Sequence, residues 1–203
     1  MNNQLRLTRI SASLISTILL VAAASTSFAA DKCDNIAATA MGSSTQLGKI
    51  VNIKLLFCEP STPEDQQILV DAFKKGKNQG LTKALEKMST SGRISLPSTV
   101  GYDLAYVRVI PTSTGRQIRW VTNRKIAFGE VYNSTRSKDY SLTAGQLDLN
   151  DKDKTKSTGT LYPATQLKMS KTGELTWELY QNPWKLQNII DWGNKNPEAV
   201  ENH

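Results

Sequence analysis

The run TGRQIRWVTNRKIAFGE, Thr114 to Glu130, sets Arg116, Arg119 and Arg124 among apolar residues. A guanidinium is planar, permanently charged and bidentate toward carboxylate, phosphate or sulfate, so arginines that converge make an anion site. Arg108 and Arg136 on either side of the run, and Glu130 at its end, complete the candidate binding set. Strand parity divides it. Arg116 shares a face with Ile118, Trp120 and Thr122, Arg119 shares the other with Gln117 and Val121, and Arg124 falls in a turn. Arg108 falls on the parity of Tyr102, Leu104 and Tyr106, and a hairpin would set it near the loop end with Arg116, leaving Arg119 further along. The competing expectation is plain strand surface. There Arg119 and Arg124 pair with Asp103, Glu130 or Asp139, each exposed pair contributing about 0–1 kcal/mol.

Catalytic chemistry has little to stand on. The only histidine is His203, in a polar tail, which leaves Ser-His-Asp triads, imidazole acid-base work and His-ligated metals without their central residue. No G-x-S-x-G, phosphate-binding loop or dinucleotide fingerprint occurs, and no cofactor or metal is expected. Two carboxylates among Asp103, Glu130 and Asp139 would serve a glycosidase-type mechanism if one cleft gathered them. The loop NDKDKTKSTG lacks the calcium-loop spacing, and Lys152, Lys154 and Lys156 would repel a cation, so it reads as a solvated hairpin connection. Trp120, Trp177, Trp184 and Trp192 offer a carbohydrate platform, but tryptophans at strand parity more often fill a core.

The elements that would position these residues follow from periodicity. A polar, Ala/Ser/Thr-rich lead-in precedes Ile50–Phe57, where Val51, Ile53, Leu55 and Phe57 alternate as the buried face of a strand. The period then becomes helical. Thr62 caps, Pro63 suits the first turn, and Glu64 and Asp65 complement the positive helix end. Gly76 reads as a stop, and a second short helix spans about 81–88 on Leu81, Ala84, Leu85 and Met88. From Gly92 the chain reads as short strands joined by tight connections such as PTSTG, NR and KTG. The segment 183–192 fits two templates, a helix on Leu186, Ile189 and Ile190 or a strand on Leu186, Asn188, Ile190 and Trp192; the strand is the closer match. The fold class expected is α+β: a mainly antiparallel sheet of seven or eight strands, open or closed into a barrel, with a helical pair at 63–88 on one side.

The N-terminal 1–29 carry Arg6 and Arg9, an apolar core from Leu14 to Ala24, and small residues at Ser27 and Ala29, the pattern of an export signal cleaved after Ala29. The core is too short to span a bilayer, and no cysteine stands at the cleavage point to take a lipid. Residues 30–203 then form one exported domain, periplasmic or extracellular, with a polar tail from about 193. Losing two arginines takes the formal charge from +7 to +5, a scattered basic excess with no nucleic-acid footprint. Cys33 and Cys58 would oxidise to one disulfide in that compartment, closing a 25-residue loop for roughly 3 kcal/mol.

The succession GRI, GYDL-x-Y-x-R, GR-x-I, T-x-R-x-I-x-F-x-E and DY, from Gly92 to Thr143, resembles a group of exported bacterial proteins. The group tends to have Asp where Asn123 stands, which removes one acid beside Arg124. The resemblance implies export and a β-rich domain, and assigns no catalytic residue. The leading functional expectation is a non-catalytic envelope or periplasmic binding or interaction protein, its partner an anionic envelope component or another protein. The alternatives are a carboxylate-dependent hydrolase of an envelope polymer and a purely structural or assembly protein.

Overall fold

The computed structural model describes residues 33–126, 140–178 and 183–193. Residues 1–29, expected to be an export signal, lie outside the described residues, as do Glu130, Arg136, Asp139, most of the strand expected over KIAFGEVY, and the tail beyond Gly193 with His203.

Nine strands form among them: β1 (Asp34–Met41), β2 (Ile50–Phe57), β3 (Gly92–Ser95), β4 (Tyr102–Pro111), β5 (Gly115–Thr122), β6 (Leu142–Asn150), β7 (Thr158–Met169), β8 (Leu175–Glu178) and β9 (Trp184–Gly193). Every pairing is antiparallel, and β1 to β7 follow one another around the sheet. β9 lies between β7 and β1 and closes an eight-stranded barrel. β8 is the extra strand, paired to the far half of β7.

Alternation fills the barrel. Ile53, Leu55 and Phe57 from β2 point inward as their parity predicts, and meet Ile36, Ile94, Leu104, Ile118, Trp120, Leu147, Leu161, Trp184 and Leu186 in one buried cluster. An eight-stranded ring is just wide enough for side chains to occupy it. β1 lies in the Ala/Ser/Thr-rich lead-in, to which periodicity assigned no element: Ile36, Ala38 and Ala40 alternate inward, but alanine is a weak strand signal. The Cys33–Cys58 disulfide joins the start of β1 to the end of β2, beside the Asp34–Phe57 register pair.

β9 settles the two-template segment as a strand, and its geometry explains the conflict. Trp184 and Leu186 point inward; Asn188 then takes φ 49° at an irregularity in the pairing with β1, so the next residue packed on the core is Ile189. One extra residue turns a spacing of two into three, which imitates a helix.

Where a helical pair was expected the structure has α1 (Pro63–Leu85), two helical runs continuous in the chain and broken in direction at Lys77, where φ is 51° and ψ −143°. Gly76 was the expected stop, one residue earlier. The N-terminal cap is as the sequence predicts: the Thr62 hydroxyl accepts from Asp65 N at 3.2 Å and the Asp65 carboxylate accepts from Thr62 N at 2.8 Å. α1 lies outside the barrel, where Leu69, Phe73, Leu81 and Leu85 pack on Ala105, Val121, Leu142, Ala144 and Leu167 in a second core. Two polar anchors fix it. Ser61 exchanges backbone and side-chain hydrogen bonds with Val107 of β4 at 2.7 and 3.0 Å. Asn78, just after the break, donates to Leu167 O at 3.0 Å and accepts from Leu167 N at 2.8 Å. The chain between these anchors roofs part of the outer wall.

Candidate functional site

A cavity of about 60 Å³ remains between that roof and the wall. Its floor is the outer face of β4 and β5, its roof is α1, and the β7–β8 hairpin forms one side. Leu69, Leu81, Leu85, Val121, Leu167 and Leu175 supply apolar lining; Gln66, Tyr106, Arg108, Arg119 and Glu174 supply polar groups.

Two local devices bring the arginines here. The β4–β5 hairpin pairs Pro111 with Arg116, and the register continues unbroken to Arg108 opposite Arg119. Further along, a bulge inserts Ala105 between Leu104 and Tyr106, so Leu104 enters the barrel while Tyr106 lies outside with Arg108. This corrects two expectations: Arg108 does not share a face with Leu104, and its partner along the hairpin is Arg119 rather than Arg116.

Directly opposed like charges destabilise a strand pair unless something negative stands between or beside them. Glu174, at the hairpin tip, comes within 3.8 Å of Arg108 Nη1, both side chains being about half exposed. Asp148 on the neighbouring β6 is engaged by Gln117 Nε2 at 2.6 Å and by Gln146 Nε2 at 2.9 Å. Among the described residues that line the cavity, Arg108, Arg119 and Glu174 are the charged side chains. Burial pushes the Tyr106 phenol above its ordinary value of 10.0; Arg108 draws it down, and Asp65 and Glu174 add to the rise. At neutral pH Tyr106 is an uncharged O–H donor beside the arginines.

The remaining candidates go elsewhere. Arg116 points with Ile118 and Trp120 toward the barrel interior and reaches Asp191 at 2.8 Å and Asp34 at 3.1 Å, closing one mouth of the barrel. Arg124 stacks over Tyr102, its guanidinium carbon 5.0 Å from the ring centre. Arg93 pairs with Asp103 at 3.0 Å, its cross-strand partner, so that carboxylate is committed to a surface ion pair. Glu130 and Arg136 lie outside the described residues, as does Asp139. Trp120 and Trp184 are core residues at 0 and 1 % exposure and form no sugar platform. Sequence reasoning missed Tyr106, Glu174 and Gln66 as site residues. The hairpin register, counted back from the PTSTG loop, carried the signal for Arg108 opposite Arg119; nothing in the sequence joined the β7–β8 hairpin to it.

Fold and cleft define a class: a closed antiparallel barrel, filled inside, with a charged and apolar side site beneath a helix. No protein-family model, curated protein or solved structure matches this chain.

Proposed function

We propose that this is a non-catalytic binding protein whose ligand carries an anionic group, held between Arg108 and Arg119 in the cleft beneath α1. The observation that carries the reading is their direct cross-strand opposition on the wall of a cavity that Tyr106 also lines. Planar guanidinium groups offer an incoming anion forked donors. Tyr106 adds a neutral donor. The barrel interior is packed with apolar side chains, whereas the cleft beneath α1 brings apolar and charged groups together. The N-terminal pattern of Arg6, Arg9 and the Leu14–Ala24 core, together with the disulfide, supports action outside the cytoplasm, in the periplasm or beyond the cell, on an anionic envelope component or another acidic partner.

Calorimetric titration with inorganic phosphate and with acetate at low salt tests this. Replacing Arg108 and Arg119 together by alanine abolishes the heat of binding, whereas Arg116→Ala leaves it intact. Binding that persists in the double variant, or vanishes only in Arg116→Ala, overturns the assignment.

A further inference from the structure

A second pocket opens at the mouth of the barrel, on the inner side of the stretch of β4 whose Arg108 faces the cleft. Its free space is about 100 Å³, and Phe57, Val107, Val109 and Ile118 give it an apolar base. Val109 shares the inward parity of Val107 yet stays 37 % exposed, because it stands at the open end of the barrel. Asp34 and Glu59 are the charged side chains that line the pocket among the described residues. Asp34 follows Cys33 in the chain and Glu59 follows Cys58, so the disulfide that joins β1 to β2 also sets the two carboxylates on one lip. Glu59 is held from its other side too: two residues on, Ser61 bonds both backbone groups of Val107, at 2.7 and 3.0 Å, and Pro60 between them fixes one backbone angle. Arg116 reaches Asp34 at 3.1 Å but shares its charge with Asp191 at 2.8 Å. One guanidinium answers two carboxylates there, and Glu59 has no ion-pair partner among the described residues.

An apolar base beneath an anionic lip is the complement of a cation on a short hydrocarbon stem. The volume sets the length of that stem: an apolar cavity of about 150 Å³ holds benzene, about 25 Å³ per carbon, so this pocket takes about four carbons. We propose that the barrel mouth binds a primary ammonium on an unbranched stem of about four carbons, the chemistry shared by a free alkylamine and a lysine side chain. The stem displaces water from Phe57, Val109 and Ile118. The ammonium stays at the lip, where it donates to Glu59 and Asp34 and keeps part of its hydration. This site is separate from the cleft beneath α1 and does not depend on the anion reading.

Amide NMR of the full chain during titration with n-butylamine at neutral pH decides it, with ethylamine, 1-butanol, butyrate and Nα-acetyl-lysine methylamide as comparisons. Butylamine shifts the amides of Val107, Val109 and Glu59 and binds roughly tenfold more tightly than ethylamine, for two added methylenes. It also binds more tightly than butanol or butyrate. Glu59→Gln, at an exposed position, lowers butylamine affinity several-fold toward that of butanol, which does not change. The lysine compound names the source, and either order supports the proposal: binding at least as tight as butylamine points to a partner's side chain, weaker binding to a free amine. Equal affinity for butylamine and butanol, or for butylamine and butyrate, overturns the ammonium. Equal affinity for ethylamine and butylamine overturns the stem. The absence of any saturable shift at those three amides with butylamine overturns the site as a whole and leaves the anion cleft untouched.

Discussion

Arg116 on β5 places Nη2 3.1 Å from the Asp34 carboxylate on β1, although the two strands stand four places apart around the eight-stranded ring, the widest separation it permits. The same nitrogen lies 2.8 Å from Asp191 on β9, the neighbour of β1. One guanidinium thus ties opposite walls of the barrel across its mouth, beside the Cys33–Cys58 disulfide.

Removing it leaves two partly covered carboxylates facing each other with their shared cation gone. Arg116→Ala is expected to lower stability by about 1–3 kcal/mol, read as a shift in denaturant midpoint at unchanged slope. Arg116→Lys restores charge without the fork and recovers part of the loss. Arg108→Ala removes only a half-exposed contact at 3.8 Å and is expected to cost under about 1 kcal/mol. An equal loss in both variants would contradict the division between a structural and a ligand-facing arginine.

Asn78 offers a second separation. Its amide pairs with both backbone groups of Leu167 as another strand would, immediately after the break at Lys77. Asn78→Ala strands a buried N–H and C=O and is expected to cost about 1–3 kcal/mol. Asn78→Asp keeps the acceptor for Leu167 N but sets a carboxylate against Leu167 O, and should cost at least as much. Amide hydrogen exchange checks the location: protection is lost over 78–85 and at Leu167 before the barrel strands. Uniform loss across the barrel would mean that α1 and the barrel are one cooperative unit.

How much of this was legible in the sequence depends on how local the cause was. The buried parity of β2 and the Thr62–Asp65 cap rest on residues adjacent in the chain, and both appear where periodicity and capping place them. β1 went unseen because its inward positions at 38 and 40 are alanines, whose role is to fit the barrel lumen rather than to favour a strand. Bulges at Ala105 and Asn188 each shift parity by one residue, a change with no composition signal strong enough to read in advance. The cleft needed three distant pieces at once, β4–β5, α1 and the β7–β8 hairpin. Half of it, the arginine pair, was written in the register of one hairpin; the other half exists only after the barrel has closed.

The Tyr106 phenol gives a pH test. Burial raises its folded value above 10.0, so the native protein holds this proton more tightly than the unfolded chain. The associated stabilisation is complete below pH 10 and is lost as pH rises through the raised value. Tyr106→Phe has no such proton to lose. The difference in melting temperature between the two proteins should be constant from pH 7 to about 9 and then move in favour of the phenylalanine variant as alkalinity increases. A difference that stays flat to pH 11 would show that the phenol titrates as it does in water.

The deepest constraint in the barrel is steric. Trp120 and Gly145 are cross-strand partners on β5 and β6, and the indole occupies the space where a side chain at 145 would stand. A Cβ there would come within 2.7 Å of Cη2 and closer still to Cζ2, with Trp120 fully buried and its ring 5.6 Å from that of Phe57. The indole is fully buried, so Gly145→Ala is expected to cost about 1–3 kcal/mol or more from overpacking. Trp120→Phe alone also destabilises, by leaving a void. In the Trp120→Phe background, however, the alanine methyl enters the vacated space, and its cost should fall well below its cost in the native background. A double-mutant cycle measures this directly as a coupling of about 1 kcal/mol or more. Strict additivity would mean that the strand backbone, rather than the indole, forbids a side chain at position 145.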